Sequence, residues 1–189
     1  MDVPQAESTN YQEPITKNQK RRILFRGRKI DLALQTVALS DGTIAEREVV
    51  LHRGAVALVP MVDADHVCLV TNRRYAVGQT LLEVPAGTID PDENPDRTAE
   101  RELQEETGYV AGRIRRIREW YVSPGVMNER MYLYLCEDLR PGPTRPEADE
   151  DLESVVIPWD EAMAMVRDGR IEDAKTLLSL MICEGLRNA

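Results

Sequence analysis

Aromatic residues are only 5% of this 189-residue chain, with one Phe, two Trp and six Tyr, so a core built on stacked rings is excluded. Burial must come from aliphatic side chains, and a hydrophobic share of 42% is enough for a real core. Cysteine is scarce as well. Cys68, Cys136 and Cys183 are odd in number, far apart and flanked by apolar residues, which excludes a disulfide framework and a zinc pattern and suits buried thiols in a reducing compartment. His52 has no serine or cysteine nearby to complete a nucleophilic triad and reads as a structural or loop histidine. No apolar run reaches the ~18 residues of a membrane span. The first 16 residues are polar and unlike a signal peptide, so a soluble cytoplasmic protein is expected. Positive charge is in deficit too. A net charge of -9 argues against broad binding to nucleic acid or an anionic membrane, and an anionic substrate would have to be met by metal ions and local arginines.

The deficit is uneven. Residues 1 to 30 carry Lys17, Lys20, Arg21, Arg22, Arg26, Arg28 and Lys29 against three acids, and the acidity lies further along. Residues 1–20 are polar and aperiodic and read as a flexible tail. Residues 21–50 read as three short strands, Ile23 to Phe25, Ile30 to about Leu39 and Ile44 to Val50, with a turn at Ser40-Asp41-Gly42. Strands this short cannot bury a core alone, so they must pack on the main domain, 51–189, or on a second subunit.

The acidity has a focus. From Asn94 onward the sequence predicts a helix over Pro95 to Thr107: Asn94 suits the N-cap, Pro95 the first position, Asp96 the positive dipole end and Gly108 the C-terminal cap. On it Glu102 and Glu106 lie four apart on one face and repel, while Arg101 and Glu105 form an attractive pair beside them. Glu105 and Glu106 also occupy the last turn, where the dipole favours cations. Each misplaced charge costs several tenths of a kcal/mol, and such local losses without local gain point to a site. A hard divalent cation explains them, since Mg²⁺ takes one or two carboxylates and keeps its other positions for water and phosphate oxygens.

Written out, the stretch is Gly87, five residues, Glu93, seven residues, Arg101-Glu102, Leu103, one residue, Glu105-Glu106, one residue, Gly108 and Tyr109. It resembles the signature of the Nudix hydrolases at every defining position. The resemblance implies a loop-helix-loop that holds Mg²⁺, with Mn²⁺ as the alternative, against a nucleoside diphosphate linked to another group, and hydrolysis of that diphosphate bridge. It further implies metal ligation by Glu102, Glu106 and the Ala86 carbonyl, a catalytic Glu105 oriented by Arg101, and support of the loop or of a further ion by Glu93.

The neighbouring residues narrow the resemblance to the ADP-ribose and ADP-sugar pyrophosphatase branch. Arg74 precedes Leu82-Glu83-Val84-Pro85-Ala86-Gly87 as a substrate-contacting arginine does there, with Arg73 as a second candidate and Asn72 where the branch often has Gln. Glu83 joins the substrate-binding set by the same match. Pro124 stands 124 − 108 = 16 residues after the last signature glycine, an offset associated in the family with ADP-ribose-type substrates. Ser123-Pro124-Gly125 followed by Glu129-Arg130 extends the match, although Pro-Gly is also what any hairpin turn needs. In the acidic loop from Glu147 to Glu153, related enzymes supply a mobile glutamate to the attacking water. That ranks Glu150 first, as base and further metal ligand, and Glu153 second.

Trp159 to about Asp168 and Glu172 to Leu186 read as helices, and Ile171, Ala174, Leu177, Leu178 and Met181 at helical spacing are expected to be core. The expected fold is α/β: a Nudix-type α/β/α sandwich with a mixed central sheet and an N-terminal antiparallel strand appendage. The expected reaction is Mg²⁺-dependent hydrolysis of ADP-ribose to AMP and ribose 5-phosphate. GDP-mannose or another nucleoside diphosphate sugar is the alternative substrate, and a non-catalytic nucleotide-sugar sensor is the rival class. By the same resemblance the partner is a second copy of the chain, a homodimer with exchanged N-terminal strands.

Overall fold

The structure is a computed structural model that describes residues 20–142 and 152–188. Three sheets and three helices make up the described residues. The appendage is an antiparallel sheet of β1 (Arg21–Arg26), β2 (Ile30–Ala38) and β3 (Ile44–His52). A second sheet has the order β10-β5-β6, from β5 (His66–Arg74), β6 (Gln79–Glu83) and β10 (Leu152–Pro158). The third is mixed, in the order β7-β4-β9-β8, from β4 (Ala55–Pro60), β7 (Ala86–Thr88), β8 (Tyr109–Tyr121) and β9 (Arg130–Pro141). Its β4 and β9 run parallel and its other pairs antiparallel.

Buried on both faces, β4 is the axis of the sandwich, and this is why its sequence is an unbroken apolar run. Val56 and Leu58 pack with Ala99 and Leu103 of α1 (Pro95–Thr107) and with Tyr134 and Cys136. Ala55, Ala57 and Val59 join the opposite cluster, with Ala162 and Met163 of α2 (Trp159–Asp168) and Leu180 and Cys183 of α3 (Ala174–Arg187). Helices therefore cover both faces of the central sheet, as the sequence predicts.

The expected span of α1 matches the structure at both ends. The Asn94 side chain accepts a hydrogen bond from the Arg97 N–H at 3.0 Å, and Gly108 closes the helix at φ 70, a conformation that costs glycine little. The C-terminal helix departs from expectation. Leu178 is 38% and Met181 58% exposed, and Ala174 is exposed too, so only part of the expected stripe is core. Thr176, Ser179, Leu180 and Cys183 are buried instead. The helix starts later than expected, capped by Asp173, and its inner face carries Thr176, whose hydroxyl accepts the Val84 N–H, a polar contact that apolar periodicity cannot register. All three cysteines are buried and unpaired, and burial pushes the thiols up to about 12 at Cys68 and Cys136 and about 11 at Cys183.

The appendage is anchored on its own chain. The Val50 N–H donates to the Val126 carbonyl at 2.8 Å, the Asn128 N–H returns a bond to the Val50 carbonyl at 3.2 Å, and the His52 N–H donates to Asn128 Oδ1 at 2.7 Å. This fixes the turn between β8 and β9 against β3.

Candidate active site

A cleft of about 390 Å³ opens where β4, β7, α1 and the start of α3 meet the turn between β1 and β2. Its walls are strongly cationic, with Arg28, Lys29, Arg53, Arg74, Arg101 and Lys175, and its floor includes Ala86, Gly87 and Glu102. There α1 presses two glutamates on the strand that precedes it, Glu102 on the cleft lining and Glu106 against Ala86, outside that lining. Glu102 and Glu106 are 8% and 5% exposed, and the Ala86 N–H donates to Glu106 Oε2 at 3.0 Å. Gly87 is what permits the approach, since a Cβ there would stand 1.8 Å from Glu102 Oε1.

Arg101 is the hub of the acidic face. Its Nε donates to Glu93 Oε1 at 3.0 Å, and its Nη1 donates to Glu102 Oε1 and to Glu105 Oε2, each at 2.8 Å. Burial alone would lower the Arg101 pKa, but hydrogen bonds to Glu93 and the Glu102 charge hold it raised. Arg101 in turn holds Glu93 below the usual carboxylate range. One cation thus offsets the repulsion that α1 accumulates, and α1 has no basic residue in its last turn.

Arg74 lines the cleft and Arg73 is exposed outside it. The Arg74 fork is held by Glu83, with Nε on Oε1 at 2.7 Å and Nη2 on Oε2 at 2.5 Å. This hydrogen-bonded pairing raises the Arg74 pKa. Glu83 is only 1% exposed, so stripping its cations would leave a buried charge at a cost of about 3–5 kcal/mol. Lys175 of α3 also donates to Glu83 Oε2.

Glu129 is on the cleft wall, where burial raises its pKa against the opposing pull of Lys175. Beside it, His52 Nδ1 accepts from the Gly54 N–H at 3.0 Å and lies 3.6 Å from Glu129 Oε1. Burial and then the charges of Arg53 and Lys29 lower the His52 pKa to about 4, so this imidazole is neutral and structural.

Not every expected residue comes to the cleft. Pro124 and Gly125 are exposed in the turn that docks on β3 and do not line it. Glu153 is exposed near the start of β10, and Glu150 lies outside the described residues, as do residues 1–19. Reading the sequence, in contrast, did not single out Lys175, Arg53, Arg28 or Lys29 as site residues. They come from three separate segments with no motif to link them, and Arg53 Nε is buried without a hydrogen-bond partner among the described residues.

The donor set fits a hard divalent cation: two buried carboxylates, a main-chain carbonyl and open cleft, all oxygen. Among the described residues no three His, Cys, Asp or Glu side chains already form a metal cage.

An acidic floor under a cationic wall is the arrangement that suits phosphate groups met together with a divalent metal. Residues 51–180 match the NUDIX domain family, and the chain belongs to that family of hydrolases. It is 36% identical over 159 residues to the ADP-ribose pyrophosphatase of Bacillus subtilis (strain 168), across 83% of this chain and 86% of that one. It is 40% identical over 103 residues to the GDP-mannose pyrophosphatase of Pectobacterium atrosepticum, across 53% of each. A solved structure described as an ADP compounds hydrolase superposes with a TM-score of 0.77 at 25% identity, covering 95% of this chain and 96% of that one. Nudix pyrophosphatases generally need a divalent metal.

Proposed function

We propose that the protein hydrolyses the diphosphate bridge of ADP-ribose and related ADP-sugars, giving AMP and ribose 5-phosphate, with Mg²⁺ as its metal and Mn²⁺ as a substitute. The observation that carries this reading is the meeting of Glu102 and Glu106 with the Ala86–Gly87 backbone at the foot of a wall formed by Arg74, Arg53 and Lys175. The choice of ADP-ribose over GDP-mannose rests on extent, since likeness to the first relative covers 83% of this chain and likeness to the second 53%.

In this reading Glu102, Glu106 and the Ala86 carbonyl hold the metal. When bound, divalent ions polarise the bridging phosphates and lower the pKa of water. Arg74 orients the diphosphate through the donors that Glu83 leaves to the cleft, and Arg101 fixes Glu105 and Glu102. Glu129 accepts hydroxyls of the sugar. Glu150 takes the proton of the attacking water, whose oxygen joins one phosphorus as the P–O–P bond breaks and the other phosphate leaves.

We place this activity in the cytoplasm, supported by three free buried thiols, with no role for nucleic acid. Among the described residues no helix is long and apolar enough to cross a membrane. A homodimer through residues 21–50 belongs to the proposal, supported by Phe25 and Ile44 at 60% and 65% exposure in the appendage. Phosphorus NMR of ADP-ribose and GDP-mannose incubated with enzyme and Mg²⁺ tests the reaction: equal AMP and ribose 5-phosphate are expected, with ADP-ribose consumed faster. An intact, folded protein that cleaves neither compound overturns the proposal. Light scattering tests the dimer, which a monomer at micromolar concentration would exclude.

A further inference from the structure

A cluster outside the metal floor joins the start of the last helix to the end of β6 and, through Glu83, to the cleft arginine. Glu83 Oε2 receives Arg74 Nη2 at 2.5 Å and also Lys175 Nζ. Lys175 Nζ donates in turn to Asp173 Oδ2 at 3.0 Å. That same oxygen caps α3, accepting from the Thr176 N–H at 2.9 Å and its hydroxyl at 2.5 Å. Thr176 Oγ1 finally accepts the Val84 N–H at 2.9 Å. The start of α3 thus grips two consecutive residues, Glu83 and Val84, immediately before Pro85-Ala86-Gly87.

We propose that Lys175 is a positioning residue for substrate binding, holding the buried Glu83 carboxylate in the one orientation that aims Arg74 into the cleft. This inference rests on the reading of the cleft as a diphosphate site. An arginine with Nε and Nη2 committed to one carboxylate can offer a phosphate only its outer edge. The aim of that edge follows the plane of the Glu83 carboxylate. With Arg74 alone the plane could tilt about the side-chain torsion. Lys175, at 14% exposure and tied to the helix cap by Asp173, is a second fixed point. The charges support the same role: Arg74 and Lys175 balance Glu83 and Asp173, so without Lys175 a net negative charge would sit where the substrate's diphosphate docks.

The experiment is a double-mutant cycle. Lys175→Met should raise KM for ADP-ribose about 30-fold or more with kcat changed less than threefold, and Lys175→Arg should recover most of the loss. Arg74→Ala should be costly by itself. Adding Lys175→Met to it should cost almost nothing further in kcat/KM per folded molecule, because the lysine acts through the arginine, although stripping both cations from Glu83 lowers the melting temperature. Independent losses that multiply in the double variant would overturn the proposal in favour of direct contact or general structure. A second readout needs no turnover: the Arg74 Nε–H resonance should be slowly exchanging in the wild type and lost or shifted in Lys175→Met, while thermal unfolding stays within a few degrees. An unmoved resonance also overturns it. If the wild type cleaves no nucleoside diphosphate sugar, the functional reading fails, while the resonance still decides whether Lys175 holds Arg74.

Discussion

Replacing Gly87 with alanine separates the fold from the chemistry. The backbone at Gly87 is not in the left-handed region, so alanine meets no conformational penalty there. What it meets is Glu102: the new Cβ would be 1.8 Å from Oε1 and 1.9 Å from the carboxyl carbon. Real contacts of this kind need 3.0 Å or more, so the carboxylate must retreat by at least about 1 Å. The obstructing atoms are the end of a flexible side chain, and the retreat is cheap for stability. It is not cheap for the metal ligand proposed at Glu102, whose distances must hold within about 0.2 Å. Displacements near 1 Å cost about a hundredfold in rate. Gly87→Ala should therefore unfold within a few degrees of the wild type without metal, yet lose about a hundredfold or more in kcat/KM and require more Mg²⁺ for half-maximal activity. The assay is ADP-ribose turnover titrated with Mg²⁺, beside a metal-free melt. Wild-type turnover with an unchanged Mg²⁺ requirement would refute the cradle, and a grossly unfolded variant would refute the claim that only the ligand moves.

Other outcomes follow from the same geometry. Glu106→Gln should abolish turnover at saturating Mg²⁺ and leave the metal-free melt unchanged or higher, since it removes a ligand and relieves the repulsion with Glu102; turnover near the wild-type level would remove Glu106 from the site. Glu150→Gln should lower kcat about a hundredfold with metal affinity intact, and a loss confined to Glu153→Gln would move the role of base to Glu153. His52 gives a pH signature. Its folded pKa is about 4 while the unfolded imidazole titrates near 6.5, so the unfolded chain takes up the proton first. Stability should be full above about pH 6.5 and fall as pH drops toward 4, by up to about 3 kcal/mol from this residue. Urea unfolding at several pH values should show this slope in the wild type and a shallower one in His52→Gln; identical slopes would contradict the burial argument.

How much of this was legible in the sequence depended on the range of each interaction. The span of α1 could be read to the residue because Asn94, Pro95 and Gly108 are local signals with local causes. The apolar run of β4 declared a strand buried on both faces. β5 extends to Arg74 because β6 and β10 flank it and lend it partners that its own sequence does not announce. The inner face of α3 was misjudged for a related reason: Thr176 is buried because Val84, a residue 92 positions earlier, needs an acceptor. Lys175 escaped notice because its meaning lies in Glu83. Periodicity reports burial of carbon and is silent about polar groups that are buried and satisfied.

The reach from Glu83 to Lys175 also sets an order of events during synthesis. Ninety-two positions separate them, and a ribosome adding about 5–20 residues per second takes about 5–20 s to cover that distance. For that interval the nascent chain holds a Val84 N–H that only the last helix satisfies and a Glu83 carboxylate that has Arg74 but not yet Lys175. The cleft is therefore among the last parts of the molecule to set. A transcript cut short before Asp173 would encode every residue of the metal floor and still yield a chain whose arginine has no fixed aim.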